Sequence, residues 1–317
     1  MRFALPAVPA ALLLLSSGIL FAADAPAPSP TTAEPKPNAP IEIERLENVV
    51  IGTGGGRDIV ADIARPKNPP AQPMPAIIMI HGGGWSGGTH KGYLPAYLVK
   101  SGYFLATIAY RLSGESPWPA QLEDSKLGVR WLRANAEKYH VNPDRIGCMG
   151  HSAGGHLVAC LGTLADQKDL EGSGGWNNVS SRVQAVVDEA GPVDFTPAGR
   201  PVVGKDTKDP AGLIKLFGGT YEEKEAVWRM ASPALHVTKD TPPFLVVHGE
   251  SDHLVPISQG ARMVSALEGA QIPVEFIRIK NAGHGLRAEK PTDPPADPSS
   301  AVLEAKITEF FDKYLKK

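Results

Sequence analysis

The chain has 317 residues, a formal net charge of −2, and 42% hydrophobic against 21% charged residues. That length holds one large domain with a sizeable core, and the apolar and charged fractions are ordinary for a globular protein. Near-neutral charge excludes the electrostatic footprint expected of a nucleic-acid or anionic-membrane binder.

Arg2 is followed by an uncharged, Leu- and Ala-rich stretch to Ala23, centred on Leu12–Leu15. Small residues at Ala22, Ala23 and Ala25 suit a cleavage site, so residues 1–23 read as a secretory signal peptide. The stretch also approaches the length of a membrane span, which leaves an uncleaved anchor as the alternative. Pro6 and Pro9 favour cleavage and hence a secreted or periplasmic protein, with no stable membrane partner expected. Residues 24–40 are rich in Pro and Ala and read as an extended linker, so the folded domain is expected over 41–317.

Residues 41–65 read as an antiparallel strand pair turning at Gly52–Gly56. That glycine run is no dinucleotide fingerprint, because Ile59–Ile63 after it reads as a strand and not a helix. Ala76–Ile80 is an apolar run of buried-strand length, and His81-Gly82-Gly83-Gly84-Trp85 follows it. Consecutive glycines leave backbone N–H groups bare and able to hold the negative oxygen of a tetrahedral adduct. No Gly-Lys-Ser/Thr follows, so the loop is no phosphate cradle.

A helix over 91–101 and a strand over 103–109 come next, then a long helix over 120–140 and a strand over 145–149. At Gly150-His151-Ser152-Ala153-Gly154 that strand turns into an apolar helix over 153–165. A sharp strand-to-helix turn among small residues exposes the side chain at the bend, which presents Ser152 as a nucleophile. Strands follow over 183–189, 243–248 and 274–279, and helices over 257–269 and 299–315. Glu250-Ser251-Asp252 comes after one of these strands and Asn281-Ala282-Gly283-His284-Gly285 after the next. Strands alternating with helices predict an α/β fold, a mostly parallel sheet with helices on both faces. Two long connections, 166–182 and 195–243, interrupt the alternation, the second with a helical stretch near 222–230. Such insertions are candidates for a small cap over the site.

These motifs resemble the α/β-hydrolases, and among them the esterases with an HGGG loop, hormone-sensitive-lipase-like and feruloyl- or acetyl-xylan-esterase-like. The order Ser152, Asp252, His284 is the triad order of that fold. The resemblance runs from about Asn48 to the C-terminus and includes Tyr110-Arg111-Leu112, Pro119-Ala120-Gln121-Leu122-Glu123-Asp124 and Phe217-Gly218-Gly219-Thr220. The chain differs at Thr89-His90-Lys91, where relatives often carry a basic residue nearer the glycines.

The resemblance implies Ser152 as nucleophile, His284 as base and Asp252 as the group orienting it. It implies an oxyanion hole from the N–H groups of Gly83, Gly84 and Ala153. Glu250, Asp188 and Asp194 are rival acids. His81 is expected to brace the glycine loop. Trp85 and Trp118 either line the substrate pocket or pack beneath loops. Tyr110, Arg111 and Asp124 are expected in buried polar networks. Cys148 and Cys160 form no disulfide framework, lack metal-ligand spacing and read as buried small hydrophobes. The implied function is a metal- and cofactor-independent esterase acting on short-chain or carbohydrate-linked acetyl or feruloyl esters, with a small ester or acylated polysaccharide as partner. A prolyl-oligopeptidase-like peptidase and a non-catalytic binding protein on the same fold are the alternatives.

Overall fold

The structure is a computed structural model, and it describes residues 41–199 and 210–316. The expected signal peptide and linker, residues 1–40, lie outside the described residues. So does part of the expected cap, residues 200–209.

One eight-stranded sheet carries the fold, in the order β1-β2-β4-β3-β5-β6-β7-β8. Strands β1 (Ile43–Gly54) and β2 (Arg57–Pro66) form the antiparallel pair, with Gly55 and Gly56 at the turn. β2 also runs antiparallel to β4 (Phe104–Ile108). Every other pairing is parallel, through β3 (Met74–Ile80), β5 (Val141–His151), β6 (Ala185–Glu189), β7 (Phe244–Gly249) and β8 (Val274–Ile279).

Alternate side chains of the central strands enter two separate cores. Ala76, Ile78 and Ile80 of β3 join one cluster, which includes Leu157 and Leu161 of α4 (Ala153–Thr163) and Leu127 of α2 (Ala120–Ala134). Ile77 and Met79 join the other, with Leu98 of α1 (Ala96–Lys100) and Phe310 and Phe311 of α8 (Ser300–Leu315). A sheet covered on both faces needs apolar residues at successive positions, which is why β3, β4 and β7 read as nearly unbroken hydrophobic runs.

The helices differ from expectation where backbone chemistry overrides composition. The helix expected over 91–101 shrinks to α1, because Gly92 takes φ +79 and Pro95 holds an extended ψ of 117° at the N-cap. The helix expected over 120–140 is two. Asn135, at φ −106 and ψ 18, breaks it and donates its side-chain amide to Trp131 O at 2.8 Å. A short α3 (Ala136–Tyr139) follows and ends on left-handed His140. The insertion over 195–243 holds α5 (Ala211–Phe217), which the sequence reading missed, and α6 (Tyr221–Met230). α6 begins with a capping box in which Thr220 and Glu223 satisfy each other's backbone N–H. α7 (Ser258–Gly269) packs beside β7 and β8. Among the described residues, no helix is long and apolar enough to cross a membrane.

Candidate active site

Parallel pairing brings the C-terminal ends of β3, β5, β7 and β8 to one edge of the sheet, where loops can converge. β5 ends at His151, and Ser152 stands before α4 at φ 59 and ψ −119. A non-glycine residue in such a region carries strain on the order of 1–3 kcal/mol. The surroundings hold it there. Ser152 N–H donates to Glu189 O at 2.8 Å, and Ser152 O accepts from His156 N–H at 3.0 Å. A Cβ on Gly154 would stand 2.0 Å from Ile80 O, so only glycine lets the elbow lie this close to β3.

The Ser152 hydroxyl lies 2.9 Å from His284 Nε2, and His284 Nδ1 lies 2.8 Å from Asp252 Oδ2. Three residues from three loops thus form one hydrogen-bonded chain. Asp252 Oδ1 accepts from the N–H groups of Leu254 and Val255, both at 2.9 Å. Burial opposes ionisation of this carboxyl. Hydrogen bonds from His248, His284 and Val255 outweigh it and hold Asp252 well below the usual carboxylate range. The group is therefore an anion beside the imidazole.

The rival acids are engaged elsewhere. Glu250 pairs with Arg278 at 3.1 Å, Asp194 accepts from the Thr196 hydroxyl at 2.7 Å, and Asp188 accepts from Gly191 N–H at 2.9 Å.

The glycine loop curls onto itself: Ser86 and Gly87 both donate to Gly83 O, at 3.2 and 3.0 Å. Gly83 takes φ +116, and a Cβ there would come within 2.4 Å of Gly87 O. Among the described residues, the N–H groups of Gly83, Gly84 and Ala153 donate to no backbone or side-chain acceptor. His81 Nδ1 donates to Gly82 O at 2.7 Å, its ring stacks on Tyr110 at 4.2 Å, and Tyr110 donates to His81 O at 3.1 Å. Arg111 pairs with Asp124 through Nε at 2.9 Å.

Trp85 and Trp118 are only 7% and 6% exposed and pack on the His156 ring. A chamber of about 430 Å³ does open behind the His284 loop, lined by Tyr93, Met149, His151, Glu189, Leu286 and Leu303. Two histidines that sequence reasoning did not assign also brace the triad. His151 Nε2 donates to His284 O at 2.7 Å, and buried His248 sits 3.4 Å from Asp252 Oδ2. The signal for His248 was its place in β7, four residues before Asp252. Among the described residues, no group of three or more His, Cys, Asp or Glu side chains is arranged to hold a metal ion.

A mostly parallel sheet with a serine elbow after β5 and an assembled Ser–His–Asp chain along its edge defines the class as α/β-hydrolase. The chain belongs to the BD-FAE family, which it matches over residues 61–267. It is 32% identical over 239 residues to Esterase LipC of Mycobacterium tuberculosis, covering 71% of this chain and 56% of that protein. It is 30% identical over 227 residues to an acetylxylan esterase of Xylanibacter ruminicola, covering 70% of this chain and 42% of that one. A solved truncated form of a carbohydrate esterase from gut microbiota superposes with a TM-score of 0.74 at 29% identity, covering 88% of this chain and 98% of that one. The chain spans about half the length of the curated relatives it matches, 56% and 55% of the first two.

Proposed function

We propose that this protein is a serine carboxylesterase that removes short acyl groups, acetyl above all, from hydroxyl groups of carbohydrates outside the cytoplasm. The observation that carries the chemistry is the unbroken chain from Ser152 Oγ through His284 to Asp252, at 2.9 and 2.8 Å. The carbohydrate substrate is supported by two relatives, one named acetylxylan esterase and one titled carbohydrate esterase. Export is supported by the Arg2–Ala23 stretch and suits a polymer that cannot enter a cell.

Ser152 Oγ attacks the ester carbonyl while His284 Nε2 takes its proton. The carbonyl oxygen becomes an anion held by the N–H groups of Gly83, Gly84 and Ala153, one such donor being worth roughly 10²–10³ in rate. Asp252 keeps Nδ1 protonated, so that Nε2 faces the serine, and stabilises the imidazolium that forms. His284 then protonates the leaving alcohol. The acyl-enzyme is resolved by water, which His284 deprotonates in turn.

A panel of p-nitrophenyl acetate, butyrate and octanoate, methyl ferulate and acetylated xylan, run beside Ser152→Ala, tests the reading. Acetate release from xylan by wild type and not by the variant is expected. Activity confined to aryl esters would remove the carbohydrate substrate, release of ferulate alone would move the acyl preference, and no hydrolysis of any ester would end the esterase reading.

A further inference from the structure

His156 is fully buried on α4, one turn past Ser152. Its Nδ1 accepts from Trp85 Nε1–H at 3.1 Å, and its Nε2–H donates to Ala231 O at 2.8 Å. Only the neutral imidazole protonated on Nε2 serves both partners. Burial lowers its pKa to about 4 and keeps that form at neutral pH. Trp85, Trp118 and Phe195 enclose the ring at centroid distances of 5.3, 5.3 and 5.1 Å.

Each arm ends on something the site depends on. Trp85 directly follows Gly84 and is held at φ +56, which a bulky residue avoids. Its carbonyl is fixed by Ser113 N–H at 2.7 Å and its indole by His156, so the far end of the glycine loop is anchored twice. Ala231 follows α6, and the next residue, Ser232, accepts Phe195 N–H at 2.9 Å. Phe195 begins the long insertion and Ala231 follows its helix α6, and both touch this ring.

Resting on the esterase reading above, we propose that His156 is a positioning residue whose two ring nitrogens set the oxyanion loop and the insertion in register with the nucleophile helix. It takes no part in proton transfer, since its nitrogens are both engaged and face away from solvent. Through Trp85 it fixes where the Gly83 and Gly84 N–H groups point, and through Ala231 it fixes the insertion.

The two arms separate by substitution. His156→Asn keeps an acceptor near the Nδ1 position for Trp85 and loses the donor to Ala231. His156→Gln keeps a donor near Ala231 and loses the acceptor. Two readouts are taken: kcat and KM on p-nitrophenyl acetate, and the rate at which a fluorophosphonate labels Ser152. In labelling, Oγ bonds to phosphorus, fluoride leaves and the hydroxyl proton passes to His284. His156→Gln is expected to lower kcat and the labelling rate by about 10- to 100-fold, the usual effect of a small misplacement, with KM nearly unmoved. His156→Asn is expected to act mainly on KM. Trp85→Phe should reproduce His156→Gln, and in that background add less than about twofold, as two ends of one interaction do.

Equal losses of melting temperature in the Asn and Gln variants, with kcat and labelling per folded molecule at wild-type values, would overturn the proposal. Identical kinetic profiles for the two variants would do the same. If neither folds, Trp85→Phe alone decides, and a wild-type labelling rate there refutes it. A wild type labelled at Ser152 that cleaves no ester would sink the esterase reading only, since the labelling rates still decide the role of His156.

Discussion

His284 holds Asp252 by one oxygen only: Nδ1 donates to Oδ2 at 2.8 Å, while Oδ1 is taken by the backbone of Leu254 and Val255. The carboxylate is therefore oriented by its own loop before the imidazole arrives. Asp252→Asn keeps the shape but presents an amide where an anion stood, and favours the wrong tautomer of His284. Its kcat should fall by roughly 10⁴-fold at neutral pH, with a loss of melting temperature as the stabilised anion is removed. Steady-state kinetics beside a thermal melt checks this.

Glu189 makes stability depend on pH. Burial pushes its carboxyl up to about 7 from an ordinary 4.5, the Tyr93 hydroxyl opposing the rise and neighbouring Asp188 adding to it. Between those values the folded chain binds a proton that the unfolded chain has released. The contribution is thus fully present below about 4.5 and lost as pH rises to about 7. Glu189→Gln keeps an acceptor for Tyr93 and removes the ionisation. It should melt at least about 2 °C above wild type at pH 8, about the shift that 1 kcal/mol gives in a domain this large, and show no gain at pH 4.5. Melting curves across that range decide it.

Gly83→Ala sets a Cβ 2.4 Å from Gly87 O at a backbone angle of φ +116. The loop must move, and the Gly83 and Gly84 N–H groups move with it. A loss of about 10²-fold in kcat is expected, comparable to removing one oxyanion donor. Labelling of Ser152 should slow in parallel, while circular dichroism shows the sheet intact.

Cys148 and Cys160 are both free and fully buried, and burial pushes both thiols up, with Asp188 adding to the rise. The thiolate is the reactive form, so neither should react with Ellman's reagent in the native protein, and both should react in guanidinium. Activity should be indifferent to dithiothreitol.

Much of the architecture could be read from residues 41 onward because both faces of the sheet are covered. Runs such as Ile77-Ile78-Met79-Ile80, of strand length behind a Pro-rich loop, fit a strand buried on both faces, and all four residues are buried. The triad was legible for a related reason: Ser152 and Asp252 follow such runs, His284 follows the alternating strand β8, and their chain order matches that of the resembled family. Local backbone chemistry was harder to read. Pro95 and Asn135 each cut a helix that apolar content had extended, and α5 was lost among the prolines and glycines of its insertion. The bracing of the site was not legible at all. His156 meets partners 71 and 75 residues away, and nothing in its own neighbourhood announces either.

The hydroxyl of Ser152 and the imidazole of His284 lie 132 residues apart in sequence, and His284 follows β8, at the edge of the sheet. Catalysis thus reports on completion of the whole sheet and not on any part of it. During refolding, secondary structure and collapse should recover first, and turnover should return only when the final parallel strand has docked. A chain released before β8 would be compact yet inert, so the first detectable product marks the end of folding.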